Sequence, residues 1–203
     1  MDPNTFPTKG NLILAKNTLR LSKQGYELLD KKRNVLVKEI MSLNEKATEL
    51  QQNIDNTFEE AYKALIAANI RMGASNVEIF SFGVPYEESV NIKYRSVMGV
   101  EIPLVSFNNS TKNTPSFGFS STNSVLDDAF SKFNKVKDLI VLLSMVESSA
   151  YRLAINIKKT QKRANALKNV TIPKYENLVK HIQDVLEERE RDEFTRLKVL
   201  KNK

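Results

Sequence analysis

The side chains that most often carry chemistry are scarce in this sequence of 203 residues, which has a single histidine, His181, and no cysteine. Thiolate nucleophiles, thiolate metal sites, disulfides and thiol redox chemistry are therefore excluded, and zinc motifs built on paired histidines go with them. An imidazole-activated nucleophile has only His181 to draw on, and its neighbours Leu178 and Ile182 give that residue a packing or solvent-edge place on a helix. None of the six glycines, at 10, 25, 73, 83, 99 and 118, opens a GxxxxGK or GxGxxG phosphate loop. Carboxylates cluster in runs such as Glu187-Glu188-Arg189-Glu190-Arg191-Asp192-Glu193, where mixed signs at helical spacing describe a solvated face supported by i,i+4 pairs. No catalytic constellation, cofactor or metal is expected, and the chain reads as non-enzymatic by itself. What it does carry is charge: a net +7 and a pI near 9.4 suit nucleic acid, an acidic membrane surface or an acidic protein. Aromatics interleaved with the basic residues are few and no major-groove motif is present, which makes nucleic acid the weakest of the three.

The elements that place these charges are long helices. From Leu12 a strict three-four alternation visits Ala15, Leu19, Ser22, Tyr26, Leu29, Arg33, Leu36, Ile40, Leu43, Ala47, Leu50, Ile54, Thr57, Ala61, Ala64 and Ala68, and only Ser22, Arg33 and Thr57 are not apolar. A 3.5-residue repeat kept over about eight heptads marks a left-handed coiled-coil strand, because a straight helix drifts about 20° per heptad out of phase. At about 1.5 Å per residue, a helix from Lys9 to Met72 is about 95 Å long, a rod rather than a globular element. A second run takes the same steps through Leu126, Ala129, Phe133, Val136, Ile140, Leu143, Glu147, Ala150, Ala154, Ile157, Gln161 and Ala164, and continues in a shifted register through Leu167, Ile172, Tyr175, Leu178 and Ile182. Ser124 with Asp127 offers a cap at its start, and Pro173 at the shift predicts a kink or a brief break. The shaft core is expected at Leu19, Leu29, Leu36, Ile40, Leu43, Leu50, Ile140, Leu143, Ile157 and Ile182.

Between the helices the period changes to two. Gly73 is placed to end the first helix as a left-handed cap. Val77, Ile79 and Phe82, then Ile92 and Tyr94, alternate across Gly83-Val84-Pro85 and predict a short antiparallel hairpin, which Val97-Met98-Gly99-Val100 through Pro103 extends. Residues 106–123, rich in Ser, Thr and Asn, read as a mobile loop. The fold class is therefore mainly α, two long antiparallel helices in a left-handed coiled coil with a β-hairpin and loop inserted, divided as 1–73, 74–123 and 124–203. The turnback sets both chain ends at one tip of a rod and the hairpin at the other.

The charge follows the rod. Residues 1–33 hold Lys9, Lys16, Arg20, Lys23, Lys31, Lys32 and Arg33 against three acids, whereas residues 34–73 are net acidic. On the second helix Lys158, Lys159, Lys162, Arg163 and Lys168 form a basic stretch that the turnback sets beside Lys31-Lys32-Arg33 or somewhat below it. Arg33, at a seam position, is expected to lay its stem over the seam and send its head outward, and Gly25 is either tolerated within a stable rod or a smooth spot that another surface approaches. The N-terminal Met1–Pro7 stretch lacks a basic region followed by an apolar one, and the longest uninterrupted apolar run, Leu139–Leu143, is far short of a bilayer span. Direct membrane insertion is not expected, and the lack of cysteine favours a cytosolic setting.

Specific residues carry a family resemblance. Pro7-Thr8, Leu12, Leu19, Gly25, Leu28-Leu29, Lys31-Lys32-Arg33 and Leu36 form an opening segment similar to that of the D subunits of the vacuolar/archaeal-type rotary ATPases. Arg163-Ala164-Asn165-Ala166-Leu167, Ile172-Pro173, Ile182 and the run from Leu186 to Phe194, then Arg196-Leu197-Lys198, resemble that family's C-terminal signature. Val97-Met98-Gly99-Val100 and Ile102-Pro103 resemble its middle segment, while Asp30 stands where the family often has lysine. The resemblance implies a central-stalk rotor whose terminal helices enter a hexamer of catalytic A and B subunits, with an F subunit on its side and a socket component, C or d, joining it to a membrane ion-translocating ring. It implies a cytoplasmic location peripheral to the membrane. With the basic bias of the termini it points to Lys16, Arg20, Lys23, Arg189, Arg191, Arg196 and Lys198 as contacts to the catalytic head. Two alternatives from other classes stay open at this point, a prefoldin-like coiled-coil chaperone or scaffold protein and a basic RNA-binding helical protein.

Overall fold

A computed structural model of the chain describes residues 6–84, 90–107, 117–118 and 122–201. Its elements are α1 (Lys9–Met72), α2 (Ala74–Ser81), β1 (Val90–Val97), β2 (Val100–Phe107), α3 (Ser124–Ala166) and α4 (Ile172–Lys201), the last two joined without a break by a π-helical turn at Leu167–Thr171. They fall into two compact units, one made of residues up to Val35 with those from Ile157 onward, the other of Leu36–Asn156.

In the first unit α1 starts where the local chemistry stops it from fraying. The Thr8 hydroxyl accepts the Asn11 N–H at 3.2 Å and the Thr8 carbonyl accepts the Leu12 N–H at 3.0 Å, so Thr8 is the N-cap. The α1 residues here pair antiparallel with the last third of the chain: Gly25 lies beside Leu167, Tyr26 beside Lys168, and Lys23 pairs with Glu176 at 2.7 Å. Buried Ala15 and Ser22 line one side of the seam; Thr160, Ala164, Val179 and Ile182 line the other. The proline effect takes a form the sequence did not specify. Pro173 has no N–H to give and its ring presses on the carbonyl four residues back, so a strict α-turn is unfavourable there. The helix widens instead of breaking, and the Ile172 N–H bonds to the Leu167 carbonyl five residues earlier.

In the second unit α1 and α3 also run antiparallel, with Ala68 clustered with Leu126 and Tyr62 edge-on to Phe133 at 5.7 Å between ring centroids. The seam foreseen on α1 holds throughout: every position of the alternation from Leu12 to Ala68 is buried or half-buried, and Leu36, Ala61 and Ala68 are fully enclosed. On α3 the expected register holds at Leu126, Ala129 and Val136, slips over the next turns, and is met again at half-buried Ile157 and buried Ala164. The buried residues beyond are Val146, Ser149 and Leu153, each one position before the expected Glu147, Ala150 and Ala154, and in the other unit Thr160 likewise replaces Gln161. Ile140, expected in the core, is 39% exposed. The slip starts at Leu139–Leu143, where five consecutive apolar residues cover every face of the helix and give the 3.5-residue repeat no phase to hold. Leu19, Leu29, Ile40, Leu43, Leu50, Leu143 and Ile157 are half-buried and Ile182 is fully enclosed, all as expected.

The insertion differs from its expectation in two ways. Val77, Ile79 and Phe82 are not in a hairpin: residues 74–81 are the helix α2, and Phe82 follows as its C-cap. Gly73 separates α1 from α2 at φ 83 and ψ 139, a positive-φ extended conformation rather than the left-handed helical cap. Helix is favoured here because Val77 and Phe80 are three apart and reach the same cluster of Ala68, Phe117 and Leu126, whereas Ile79 and Phe82 stay exposed. The hairpin is β1 with β2, in register from Val97↔Val100 to Val90↔Phe107, so Ile92 and Tyr94 are strand residues as expected but pair with 103–105. Met98 and Gly99, both at positive φ, make the two-residue turn.

The hairpin also lies elsewhere than at the end of the helical pair. Arg95 pairs with Glu39 of α1 at 3.0 Å; the Arg152 guanidinium of α3 donates to the Glu101 carbonyl at 3.2 Å and sits 5.4 Å from the Tyr94 ring centroid. The Val105 N–H donates to the Met145 thioether at 3.2 Å. A two-residue turn makes Val97–Val100 a hydrogen-bonded pair, so the N–H groups of residues 101, 103 and 105 point away from β1. Pro103, which has no N–H, therefore costs the ladder nothing, and the edge it shares with Glu101 and Val105 is the one turned to α3. The expectation that residues 106–123 form a mobile loop lies mostly outside the described residues; Phe117 is buried among the aromatics of the α1–α3 end.

Candidate interaction surfaces

The features that stand out among the described residues are surfaces. In the first unit the terminal turns carry the cations singled out above. Lys23 is occupied by Glu176, Arg189 donates to the Pro7 carbonyl at 3.3 Å, and Arg191 lies 3.9 Å from Glu187 on its own helix. Lys9 meets Glu190 at 3.1 Å, so the start of α1 is tied to α4 about a dozen residues before α4 ends. Lys16, Arg20, Arg196 and Lys198 are exposed and have no ion pair among the described residues. The seven candidate contacts thus split into two that join the chain's separated segments, Lys23 and Arg189, one, Arg191, that pairs within α4, and four without an ion pair among the described residues. Exposed ion pairs contribute about 0–1 kcal/mol each.

Around these cations the structure exposes apolar residues that the three-four pattern does not pick out. Every residue from Glu187 to Lys201 is exposed, with Phe194 at 68% and Leu197, Val199 and Leu200 alongside. On α1, Leu14, Leu21, Leu28 and Val35 are exposed at intervals of seven, a second stripe beside the seam. Its signal was present in the spacing, masked by the stronger alternation that starts at Leu12. Large apolar patches kept in water are the usual mark of a protein interface.

Further along the same unit, Lys31, Lys32, Lys158, Lys159, Lys162 and Arg163 form a basic band. Antiparallel pairing through Tyr26 and Lys168 brings the two groups level, as the turnback implied, and none has an ion pair among the described residues. Arg33 behaves as foreseen, half-buried along its stem with its head paired to Asp30 at 2.7 Å. His181 is exposed on α4.

In the second unit the α1–α3 end is capped by α2 and the aromatics Phe80, Phe117, Phe130 and Phe133, which with Lys137 line an open pocket of about 500 Å³. The helix from Ser124 to Lys201 also contains an 18-residue window of mean hydropathy 1.3, apolar and long enough by composition to cross a membrane. Counting uninterrupted apolar runs does not reveal it; a helix that lines a seam with another helix passes the same test.

Comparison with known proteins gives these surfaces a context. The family model for the D subunit of ATP synthase matches residues 11–202. The D subunit of the V-type ATP synthase of Thermotoga neapolitana is 45% identical over 97% of both chains. The D subunit of the A-type ATP synthase of Thermococcus kodakarensis is 37% identical over 98% of this chain and 94% of its own, and that of Pyrococcus abyssi 34% identical over 96% and 92%. An exposed, basic and apolar terminal surface on a paired helix, matched end to end at these identities, places the chain in the D-subunit family of V-type and A-type ATP synthases.

Proposed function

We propose that this chain is the central-stalk axle of a V/A-type rotary ATPase, transmitting torque between a hexamer of catalytic A and B subunits and a membrane ion-translocating ring, and that it has no catalytic role of its own. The observation that carries the reading is the exposed end of α4, which runs past the start of α1 and bears Phe194, Leu197 and Leu200 with Arg196 and Lys198, while Lys16 and Arg20 stand exposed further along the same unit; none of these four cations has an ion pair among the described residues. A surface that must exchange partners as it turns is better served by hydrated cations than by an interlocking dry interface, since each exposed pair is worth only about 0–1 kcal/mol and releases easily. The helical pair supplies stiffness, and the basic band at Lys31 and Lys162 offers a second ring of charge to an acidic stator. An F subunit on the side of the pair and a socket component, C or d, would complete the transmission. The chain reaches the membrane through those partners in this reading, in a cytoplasmic complex, and binds no nucleic acid. The hairpin, fastened along the flank, takes a docking or regulatory role there.

The test is assembly with the A/B hexamer and the F subunit, followed by joint charge reversal of Lys16, Arg20, Arg196 and Lys198 to glutamate. Reduced coupling of ATP hydrolysis to rotation at unchanged helicity is expected. Unchanged ATPase rate and torque in the assembled complex would reject these four residues as the head contact. Assembly with other hairpin proteins instead of an A/B ring would favour the chaperone class.

A further inference from the structure

We propose that the π turn at Leu167–Thr171, with Pro173 after it and Gly25 across from it, is a compliant joint in the helical pair of the first unit, where the second helix yields to twist while the turns on either side hold. Its use in torque transmission rests on the axle reading; its existence does not. The π turn is the one departure from α geometry among the described residues of Ser124–Lys201, and none of its residues is buried. Its hydrogen bonds span five residues instead of four, as at Ile172 N–H to the Leu167 carbonyl, a conformation that helices adopt rarely and for a single turn. Pro173 fixes its position, because tightening it would drive the proline ring into the Asn169 carbonyl. The contacts that hold it are loose: the Thr171 hydroxyl lies 3.4 Å from the Ala166 carbonyl and the Lys168 ammonium 5.8 Å from the Tyr26 ring centroid. On one side of it Ala164 is 2% exposed, and on the other Lys23 grips Glu176 at 2.7 Å.

Gly25 is the independent observation. Glycine is the poorest helix former after proline, yet it sits within the 64 residues of α1. A β-carbon added there would meet Leu167 Cδ1 at 3.7 Å, an ordinary van der Waals contact. The resting packing therefore does not require glycine. An arrangement in which Leu167 moves toward α1 does, and Leu167 is the first residue of the π turn.

Hydrogen exchange on the full chain tests this. Amides of residues 167–172 and 174–175 are expected to exchange at least about tenfold faster than those of 153–164 and 178–186. Equal protection across these stretches overturns the joint. Gly25→Ala should raise the melting temperature by a few degrees and slow exchange at the π turn at least about threefold; a stabilised variant with unchanged exchange there would show that Leu167 does not use the space, and would overturn the proposal. Deletion of Val170 combined with Pro173→Ala, which restores α geometry in the same downstream register, should level the exchange profile, and persistent fast exchange in it would overturn the proposal as well. These readings need no partner, so they stand or fall separately from assembly with an A/B ring.

Discussion

Leu153 and Ala154 are adjacent on α3, and the two registers available to that helix assign them opposite fates. The strict repeat puts Ala154 in the seam; in the structure Leu153 is 0% exposed and Ala154 is exposed. Leu153→Ala removes three carbons from full burial, a transfer loss of about 2.4 kcal/mol at about 0.8 kcal/mol per methylene. The space left behind adds to this, since neighbours on a long helix relax only partly, giving about 3 kcal/mol in total. At roughly 2–4 °C per kcal/mol for a chain of this length, the melting point should fall by about 6–12 °C. Ala154→Lys should change it by no more than about 0.5 kcal/mol, because the side chain enters water. Thermal and urea melts of the full chain, followed by circular dichroism at 222 nm, measure both. If Ala154→Lys proves the damaging one and Leu153→Ala is tolerated, the one-residue slip after Val136 is wrong and the strict repeat is right.

Four further outcomes are expected. Met98→Asn gives the β1–β2 turn a residue that tolerates positive φ beside Gly99, and should stabilise the hairpin by up to about 1 kcal/mol, read as slower amide exchange across residues 90–107. Arg152→Ala removes both the bond to the Glu101 carbonyl and the cation over Tyr94, and should speed exchange in β1 and β2 while the helical signal stays constant; unchanged exchange would mean that Arg152 does not hold the hairpin. Phe117→Ala opens the aromatic cluster at the α1–α3 end and should cost about 3 kcal/mol, with α2 losing protection first. The Lys63 ammonium bonded to Glu59 holds that carboxyl below its ordinary value, so the pair's small contribution is present above the usual carboxylate range and lost as pH falls through the lowered one; Glu59→Gln should abolish that part of the acid dependence.

The helices were legible because their seam repeats for many turns and one misplaced residue cannot erase the pattern. The limits of that legibility are also physical. At Leu139–Leu143 uniform apolarity carries no phase, and the register was lost there. Residues 74–82 have both a period-two and an i,i+3 apolar pattern; Phe117, far along the chain, decides in favour of helix by giving Val77 and Phe80 a common surface. The hairpin's place along the flank depended on Arg95 meeting Glu39 and Arg152 meeting Glu101, and no local pattern announces such long-range pairs. Among the candidate contacts, the sequence identified the basic residues but could not separate Lys23, consumed by Glu176, from Lys16 and Arg20, which are not.

Two of the hydroxyls enclosed in the seam are satisfied by their own helix: Ser22 donates to the Thr18 carbonyl and Ser149 to the Met145 carbonyl. Neither spends its polarity on the opposite strand, so neither specifies which residue faces which. Within the seam, axial alignment therefore rests on side-chain volume, the bulk of residues such as Leu36 and Leu153 against the smallness of Ala61 and Ala164, with exposed cross-strand pairs such as Lys23–Glu176 adding about 0–1 kcal/mol at its edge. A designer wishing to offset the strands by one turn would need to redistribute size along the seam, and moving the weak pairs at its edge would not be enough.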